Sequence, residues 1–264
     1  MNKYLDKIRH IFTRMRAYKN WYTIVWPMTR ILKKDRVLKI REGGGRIYVR
    51  NIFGPDFVVA HEMFSRDDYG LASVSFNSAN PVILDIGANI GTFSIFAINL
   101  FKNAKIFAYE PEESNYRVLV DNIKLNKATD KAFPYQLAVG AESGKRTFFL
   151  STSEYAHSLE QGRVRCISGD QEVLCTTIED IMQKNNIKFI DLLKLDIEGS
   201  EFEVLYQLPE KIYNNIQYIA FEIHEHGKHS ADALLTFLKK KHFDIVQPPT
   251  HQNVYLLKNI ACGL

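Results

Sequence analysis

The sequence predicts an α/β fold built on a mostly parallel sheet with helices on both faces. Three observations predict it. From Pro81 onward, short apolar runs alternate with amphipathic stretches, the pattern of strands and crossover helices. One such run, Val82-Ile83-Leu84, ends in a glycine-bearing turn that opens directly into a helical stretch. The last two apolar runs are separated only by Gln247–Asn253, too short for a parallel crossover, so the C-terminal strand is expected to be antiparallel.

In chain order, residues 3–26 place Leu5, Ile8, Phe12, Met15, Tyr22, Val25 and Trp26 at helical spacing between Lys and Arg, which reads as a basic helical arm. Arg36–Ile40 and Arg46–Asn51 flank Glu42-Gly43-Gly44-Gly45, a hairpin signal, and Phe57–Phe64 reads as a short helix. The strands expected next are Val82–Ile86, Lys105–Tyr109, Phe133–Val139, Phe189–Asp196, Ile216–Ile223, Phe243–Val246 and Val254–Leu257. The helices between them are Thr92–Leu100, Ser114–Asn126, Ile178–Lys184, Ser200–Tyr206 and Ala231–Lys241. Ser151–Gln171 is a polar stretch with no readable period, expected to be irregular. These elements divide the chain into an N-terminal extension, residues 1–78, carrying the arm and the hairpin, and a core domain, residues 79–264.

Composition narrows the function classes. A hydrophobic content of 46% and a charged content of 24% are those of an ordinary globular protein. The three cysteines (Cys166, Cys175 and Cys262) are scattered and form no CxxC pair, which argues against a disulfide framework or a zinc site and for a reducing, cytoplasmic location. The net charge of +4 is uneven: +11 over residues 1–50, leaving −7 on the other 214. A basic arm suggests an anionic neighbour. Trp21, Tyr22, Ile24 and Trp26 beside Lys and Arg suit a membrane interface, so peripheral contact at the inner face of a membrane is one expectation. Packing of these aromatics on the core domain or on a second subunit is the other, and the oligomeric state is open. The interrupted run Trp21 to Met28 is too short to cross a bilayer. Nucleic acid is disfavoured, because the acidic body offers no continuous basic track.

The turn Asp85-Ile86-Gly87-Ala88-Asn89-Ile90-Gly91 spaces its glycines as G-x-x-x-G, unlike the G-x-G-x-x-G that brings a pyrophosphate against a helix N-terminus. A ligand without phosphate suits it, and S-adenosylmethionine, with an amino-acid head, a sulfonium and a ribose, is one. Gly87 is then expected to let the backbone approach the ligand, with Ala88 beside it, and Gly91 to let the helix start close to the strand. The N–H groups near Asn89 to Thr92 are expected to receive the ligand carboxylate, and Asp85 to supply negative charge near the ammonium and sulfonium. Glu110, 25 positions after Asp85 in Tyr109-Glu110-Pro111, is placed to accept hydrogen bonds from both ribose hydroxyls. The competing expectation is that Asp85 caps a helix and that Glu110 joins Glu112 and Glu113 at the start of the next one.

The segment Leu192-Leu193-Lys194-Leu195-Asp196-Ile197-Glu198-Gly199-Ser200-Glu201 then carries a resemblance. LLKLDIEGSEFEVL, with DIGANIGTFS, YEP, Asp68-Tyr69, the Asn115/Leu119/Asn122 helix face, Ala138-Val139-Gly140, Thr176–Asp180 and Phe221-Glu222-Ile223-His224, resembles the FkbM-type methyltransferases over about Phe57 to Val246. The resemblance implies a seven-stranded Rossmann-like sheet and O-methylation of sugars or other hydroxylated metabolites, and it adds Pro111, Ala138, Val139 and Asp196 to the cofactor-binding set. Period-two alternation puts Leu192, Lys194 and Asp196 on one sheet face. A lysine there must be paired, and Lys194 is expected either to hold a structural ion pair or to act directly. Asp196, Glu198, Glu222 and His224 are expected at the carboxyl ends of the strands, where ligands bind. Ser200-Glu201-Phe202-Glu203 fits a capping box, which makes Glu203 structural.

His224 is the expected general base, since a near-neutral histidine suits removal of an acceptor proton. An exposed strand-end histidine is the plain alternative. Glu222, His224, His226 and His229 invite a zinc reading, but the chain turns away between His226 and His229. Magnesium on Asp196 and Glu222 is chemically admissible and not favoured. His157 and Ser158 are weaker candidates for substrate contact. The acceptor, a small molecule or glycan, is expected to meet Ser151–Gln171, the arm and the Gly227–Ser230 turn. Two other functions compete: a catalytically silent partner-binding protein, and a nicotinamide-dependent oxidoreductase, which the missing second close glycine after Gly87 opposes.

Overall fold

The computed structural model of the chain describes residues 17–22, 37–41, 44–52, 54–151, 158–159, 167–225, 230–247 and 253–262. A hairpin of β1 (Val37–Lys39) and β2 (Arg46–Tyr48) leads to helix α1 (Pro55–Arg66). The core then runs β3 (Val82–Ile86), α2 (Thr92–Leu100), β4 (Lys105–Tyr109), α3 (Glu113–Leu125) and β5 (Ala132–Tyr135). An excursion of β6 (Ala138–Val139), β7 (Gly144–Ser151) and β8 (Ile167–Thr176) follows. The chain returns through α4 (Ile178–Lys184), β9 (Ile190–Leu195), α5 (Glu201–Gln207), α6 (Glu210–Tyr213) and β10 (Ile216–Glu222). It ends in α7 (Ala231–Lys240), β11 (Phe243–Gln247) and β12 (Val254–Asn259).

The main sheet has seven strands in the order β11-β12-β10-β9-β3-β4-β5. It is parallel from β10 to β5, and β12 pairs antiparallel with both β10 and β11, as its short connection requires. Alternation sorts the strand residues between two cores. Ile83 and Leu192 join α1, α2, α3 and the hairpin on one face; Leu84, Ile86, Leu193 and Leu195 join α4, α5 and α7 on the other.

Two expectations about the middle of the chain are corrected. Phe133–Val139 is not one strand: β5 closes the main sheet, and after Gln136 and Leu137 the chain enters a separate three-stranded sheet of order β6-β8-β7. The stretch expected to be irregular contributes β8, which pairs antiparallel with β7 from Gly144↔Cys175 to Ser151↔Ile167. This ribbon has one wet face, where Lys145 and Glu172 form an exposed ion pair at 2.6 Å, and one buried face carrying Phe148, Val173 and Cys175. Its apolar content is too low to stand out from a polar loop.

The hairpin docks on α3 through asparagine amides that imitate a neighbouring strand. Asn122 accepts from Tyr48 N (2.6 Å) and donates to Tyr48 O (3.1 Å) and Ile90 O (2.8 Å). Asn126 repeats the exchange with Arg46 N (2.8 Å) and Arg46 O (2.6 Å) one turn later. Asn122 is fully buried, so Asn122→Leu strands three backbone groups. It is expected to destabilise the fold by about 3 kcal/mol, read as a shift of the urea midpoint.

Residues 17–22 extend this arrangement. Tyr18 is fully buried beside Phe57, with ring centroids 6.1 Å apart, and Asn20 bridges Val37 O and Lys39 N at 2.7 Å each. Tyr22 is 55% exposed. The remainder of the arm, Trp26 included, lies outside the described residues. Among those residues no helix is long and apolar enough to cross a membrane.

Candidate active site

Strand β3 has β4 on one side and β9 on the other, so the chain leaves it in one direction and later returns on its opposite edge. Such a switch point opens a crevice at the carboxyl ends of the strands. A cleft of about 420 Å³ lies there, bounded by α1, the turn after β3, the end of β4, the small sheet and the turns after β9 and β10. Gly87, Ala88, Asn89, Thr92, Glu110, Pro111, Ala138, Val139, Lys194, Asp196, Glu198, Glu222 and His224 all line it.

The turn after β3 works differently from its sequence expectation. Gly87 has φ +77°, and a Cβ there would meet Asp196 O at 1.8 Å, so its missing side chain makes room for the backbone leaving β9. A Cβ on Gly91 (φ +86°) would meet Leu119 Cδ1 at 2.6 Å, so that glycine lets α2 start against α3. Asn89 N donates to Glu110 Oε2 (2.8 Å), Ile90 N to Asn89 Oδ1 (2.7 Å) and Gly91 N to Ala88 O (2.8 Å). Of the amides expected to receive a ligand carboxylate, those of Asn89, Ile90 and Gly91 are therefore engaged within the turn. Asp85 is fully buried behind the cleft, accepting from Ser94 Oγ at 2.6 Å.

Glu110 does face the cleft. Its oxygens accept one amide each, from Asn89 and from Glu112 (3.0 Å), and each keeps capacity for a further donor. Burial pushes its carboxyl up to about 7, against the pull of those two amides. The capping role falls to Glu112, which accepts from Ser114 N and Asn115 N at the start of α3. A half-engaged carboxylate beside Leu137, Ala138 and Val139 at the lip of the cleft fits a ribose carrying an apolar base.

At the other end, register places Lys194 directly beside Asp85. Lys194 Nζ donates to Gly87 O (2.7 Å) and lies 3.3 Å from Asp85 Oδ1 and 3.5 Å from Asp196 Oδ2. Burial opposes its charge, but Asp85 and Asp196 more than offset that and hold the ammonium above its ordinary range. With these partners Lys194 ties the β3 turn to the end of β9. Asp196 accepts the Tyr69 hydroxyl at 2.9 Å. Burial works against its charge, yet Lys194, His224 and Tyr69 keep it below the usual carboxylate range.

The turn Ile197–Ser200 is held by a residue the sequence did not single out. Ser200 makes no side-chain cap to α5, and Glu203 lies instead 3.6 Å from Arg146, so no capping box forms. Glu201, fully buried, accepts from Ile197 N (2.8 Å) and Gly199 N (2.9 Å) and meets His224 Nδ1 at 3.1 Å. It braces a turn in which Glu198 has φ +55°, an uncommon conformation for a residue with a side chain. His224 Nε2 lies 3.5 Å from both Glu198 and Glu222. Burial disfavours the imidazolium, but Glu201, Glu222 and Glu198 outweigh it and lift His224 to about 11. A doubly protonated His224 would have no lone pair with which to take a proton, so these surroundings argue against the general-base expectation. Glu222 is raised above its ordinary value, by burial first, with His224 opposing and Asp196 adding.

Ser158 is buried and donates to Glu198 O at 2.8 Å, a structural contact. His157, His226 and His229 lie outside the described residues. Asp196, Glu201 and His224 bring one ligand atom each within 4.8 Å of one another; Glu201 is committed to two amides and to His224, while Tyr69 and Lys194 both meet the one Asp196 oxygen Oδ2.

Sequence reasoning also missed the wall of the cleft formed by α1. Val58, Val59, Glu62 and Met63 face it, followed by Asp68 and Tyr69. Burial raises Glu62 above its ordinary value, Arg66 opposes, and Asp68 and Glu222 add to the rise. The helical period of Phe57–Phe64 was readable, but nothing in it says which cleft the helix covers.

Comparison with known proteins shows the family to which the chain belongs. Residues 85–245 match the methyltransferase FkbM domain. The methyltransferase sdnD of Sordaria araneosa is 28% identical over 218 residues, 70% of this chain and 81% of that one. The hexuronic acid methyltransferase AglP of Haloferax volcanii is 24% identical over 150 residues, 55% of this chain and 56% of that one. The crystal structure of methyltransferase FkbM from Methylobacillus flagellatus superposes with a TM-score of 0.50 at 17% identity, covering 72% of this chain. This chain spans 46% of that protein, and the likeness speaks for the fold alone. With the domain match spanning more than half of its length, the chain belongs to the FkbM methyltransferase family.

Proposed function

We propose that the protein transfers a methyl group from S-adenosylmethionine to a hydroxyl of a small polyhydroxylated acceptor, a sugar or a related metabolite. The observation that carries this reading is one cleft with two unlike ends: the half-engaged carboxylate of Glu110 at one, and Asp196, Glu198 and Glu222 facing Glu62 and Asp68 at the other. When bound, adenosylmethionine supplies a methyl group already activated on a sulfonium. The protein then has to align an acceptor oxygen with that carbon and remove its proton. Glu110 accepts the ribose hydroxyls. The charged Lys194 fixes Asp196 and the β3 turn, and Tyr69 donates to the same Asp196 oxygen that Lys194 meets.

The acceptor end supports a hydroxylated ligand, because carboxylates accept hydrogen bonds from hydroxyls and Tyr69, Phe93 and Phe148 supply flat apolar surface in the same cleft. The relative named for a hexuronic acid points the same way. Equilibrium titration tests the cofactor half. S-adenosylmethionine and S-adenosylhomocysteine are expected to bind in a one-to-one ratio, and NAD to give no signal. Binding of NAD without binding of either sulfur compound would replace this reading with the oxidoreductase one.

A further inference from the structure

Both nitrogens of His224 face carboxylates: Nδ1 meets Glu201 at 3.1 Å, and Nε2 has Glu198 and Glu222 at 3.5 Å. A neutral imidazole has one N–H and one lone pair. Whichever tautomer formed, its lone pair would point at a carboxylate oxygen. Only the doubly protonated ring donates on both sides. Glu201 is the member of this set with no access to solvent, and its other bonds go to the Ile197 and Gly199 amides. It therefore couples the shape of the turn after β9 to the state of a side chain after β10.

We propose that Glu201 is a positioning residue that keeps His224 as a fixed imidazolium, and that the acceptor proton is taken by Glu222. This rests on the methyl-transfer reading above and names the proton's destination within it. The O–CH3 bond forms as the S–CH3 bond breaks, with the bonding pair left on sulfur. The hydroxyl proton passes to the Glu222 carboxylate, which becomes a neutral carboxylic acid and returns the proton to water after the product leaves.

His224 holds Glu222 in place through Nε2 without competing for that proton. Other charged or titratable groups face this assembly: Lys194 from β9, Asp196 and Glu198 from the turn that follows it, and Glu62, Asp68 and Tyr69 from the α1 side. The raised carboxyl of Glu222 suits a base, and the strongly raised imidazole of His224 suits a spectator cation.

The ring nitrogens of His224 report this directly. In the ¹⁵N spectrum of the full chain, assigned against His224→Gln, both nitrogens are expected to be protonated at about pH 8, where an ordinary histidine is neutral. In Glu201→Gln the charge partner is lost while the shape is kept. His224 should then titrate at a lower pH than in the wild type, and kcat should fall by about 10- to 100-fold, by analogy with the loss of the orienting partner of a metal-bound histidine, with the KM for adenosylmethionine unchanged. A singly protonated His224 in the wild type at that pH would overturn the proposal, even if Glu201→Gln failed to fold. An unaltered His224 titration in a folded Glu201→Gln would overturn the role of Glu201. Absence of methyl transfer to any hydroxyl would defeat the functional reading instead and leave the nitrogen spectrum as it is.

Discussion

Glu222→Gln is expected to lower kcat by about 10²- to 10⁴-fold, the range a positioned general base contributes, with affinity for S-adenosylhomocysteine retained. The amide keeps the length of the side chain and its place at the end of β10, so the loss isolates proton removal. The wild-type rate should rise with pH through a limb above the ordinary carboxylate range. Burial makes ionisation of Glu222 costly, and His224 compensates only in part. A base must be ionised to act, so the sign is fixed: activity falls as pH drops through that limb. In Glu222→Gln the limb disappears. Rate–pH profiles of both proteins at saturating cofactor check this. An unchanged limb in the variant would assign it to another group.

Glu110→Gln is expected to weaken S-adenosylmethionine binding by about 100-fold or more, because two hydrogen bonds from ribose hydroxyls to a charged acceptor contribute about 1.5–3 kcal/mol each. The pH dependence runs in opposite directions for binding and for stability. With its carboxyl at about 7 in the cofactor-free protein, Glu110 must lose a proton to receive both hydroxyls, so affinity falls as pH drops below that value. A carboxyl raised on folding has the reverse effect on stability. Its contribution is fully present below the ordinary value of 4.5 and is lost as pH rises through about 7. The difference between wild type and Glu110→Gln therefore isolates the group. Titration calorimetry and urea melts across this window should show affinity and Glu110-dependent stability moving in opposite senses.

How much of this the sequence revealed follows from how local each signal is. Strands β3, β4, β9 and β10 were legible because buried parallel strands read as unbroken apolar runs, and α2 and α4 match their expected bounds residue for residue. Ribbon β7–β8 was not legible, since one wet face dilutes its period. Asp85 and Gly87 lie at the cleft's end of β3, and the close approach at Gly87 is made by Asp196, 109 residues later, which no local pattern encodes.

Glu201 was hidden by a rule that usually works. The capping box drew attention to Glu203, whereas Ser200 takes a helical conformation without a side-chain cap and Glu201 turns inward to the preceding amides. Tyr69 and Glu62 belong to a segment that precedes the matched family domain, and only the folded chain brings them opposite Asp196 and Glu222. His224 lines the cleft, and its carboxylate neighbours argue against the general-base role that the sequence suggests. The sequence supplies the imidazole with Glu198 and Glu222, but not Glu201, the buried carboxylate on its other nitrogen.

The most direct measurement is the fate of the transferred carbon. The full chain is incubated with S-adenosylmethionine labelled with ¹³C on the methyl group and a panel of sugars and sugar alcohols, and the products are read by carbon NMR. The expected result is label in a methyl ether resonance of an acceptor, absent from Glu222→Gln reactions. Label appearing on nitrogen, or none leaving the cofactor while S-adenosylhomocysteine still binds, would contradict hydroxyl methylation in this cleft.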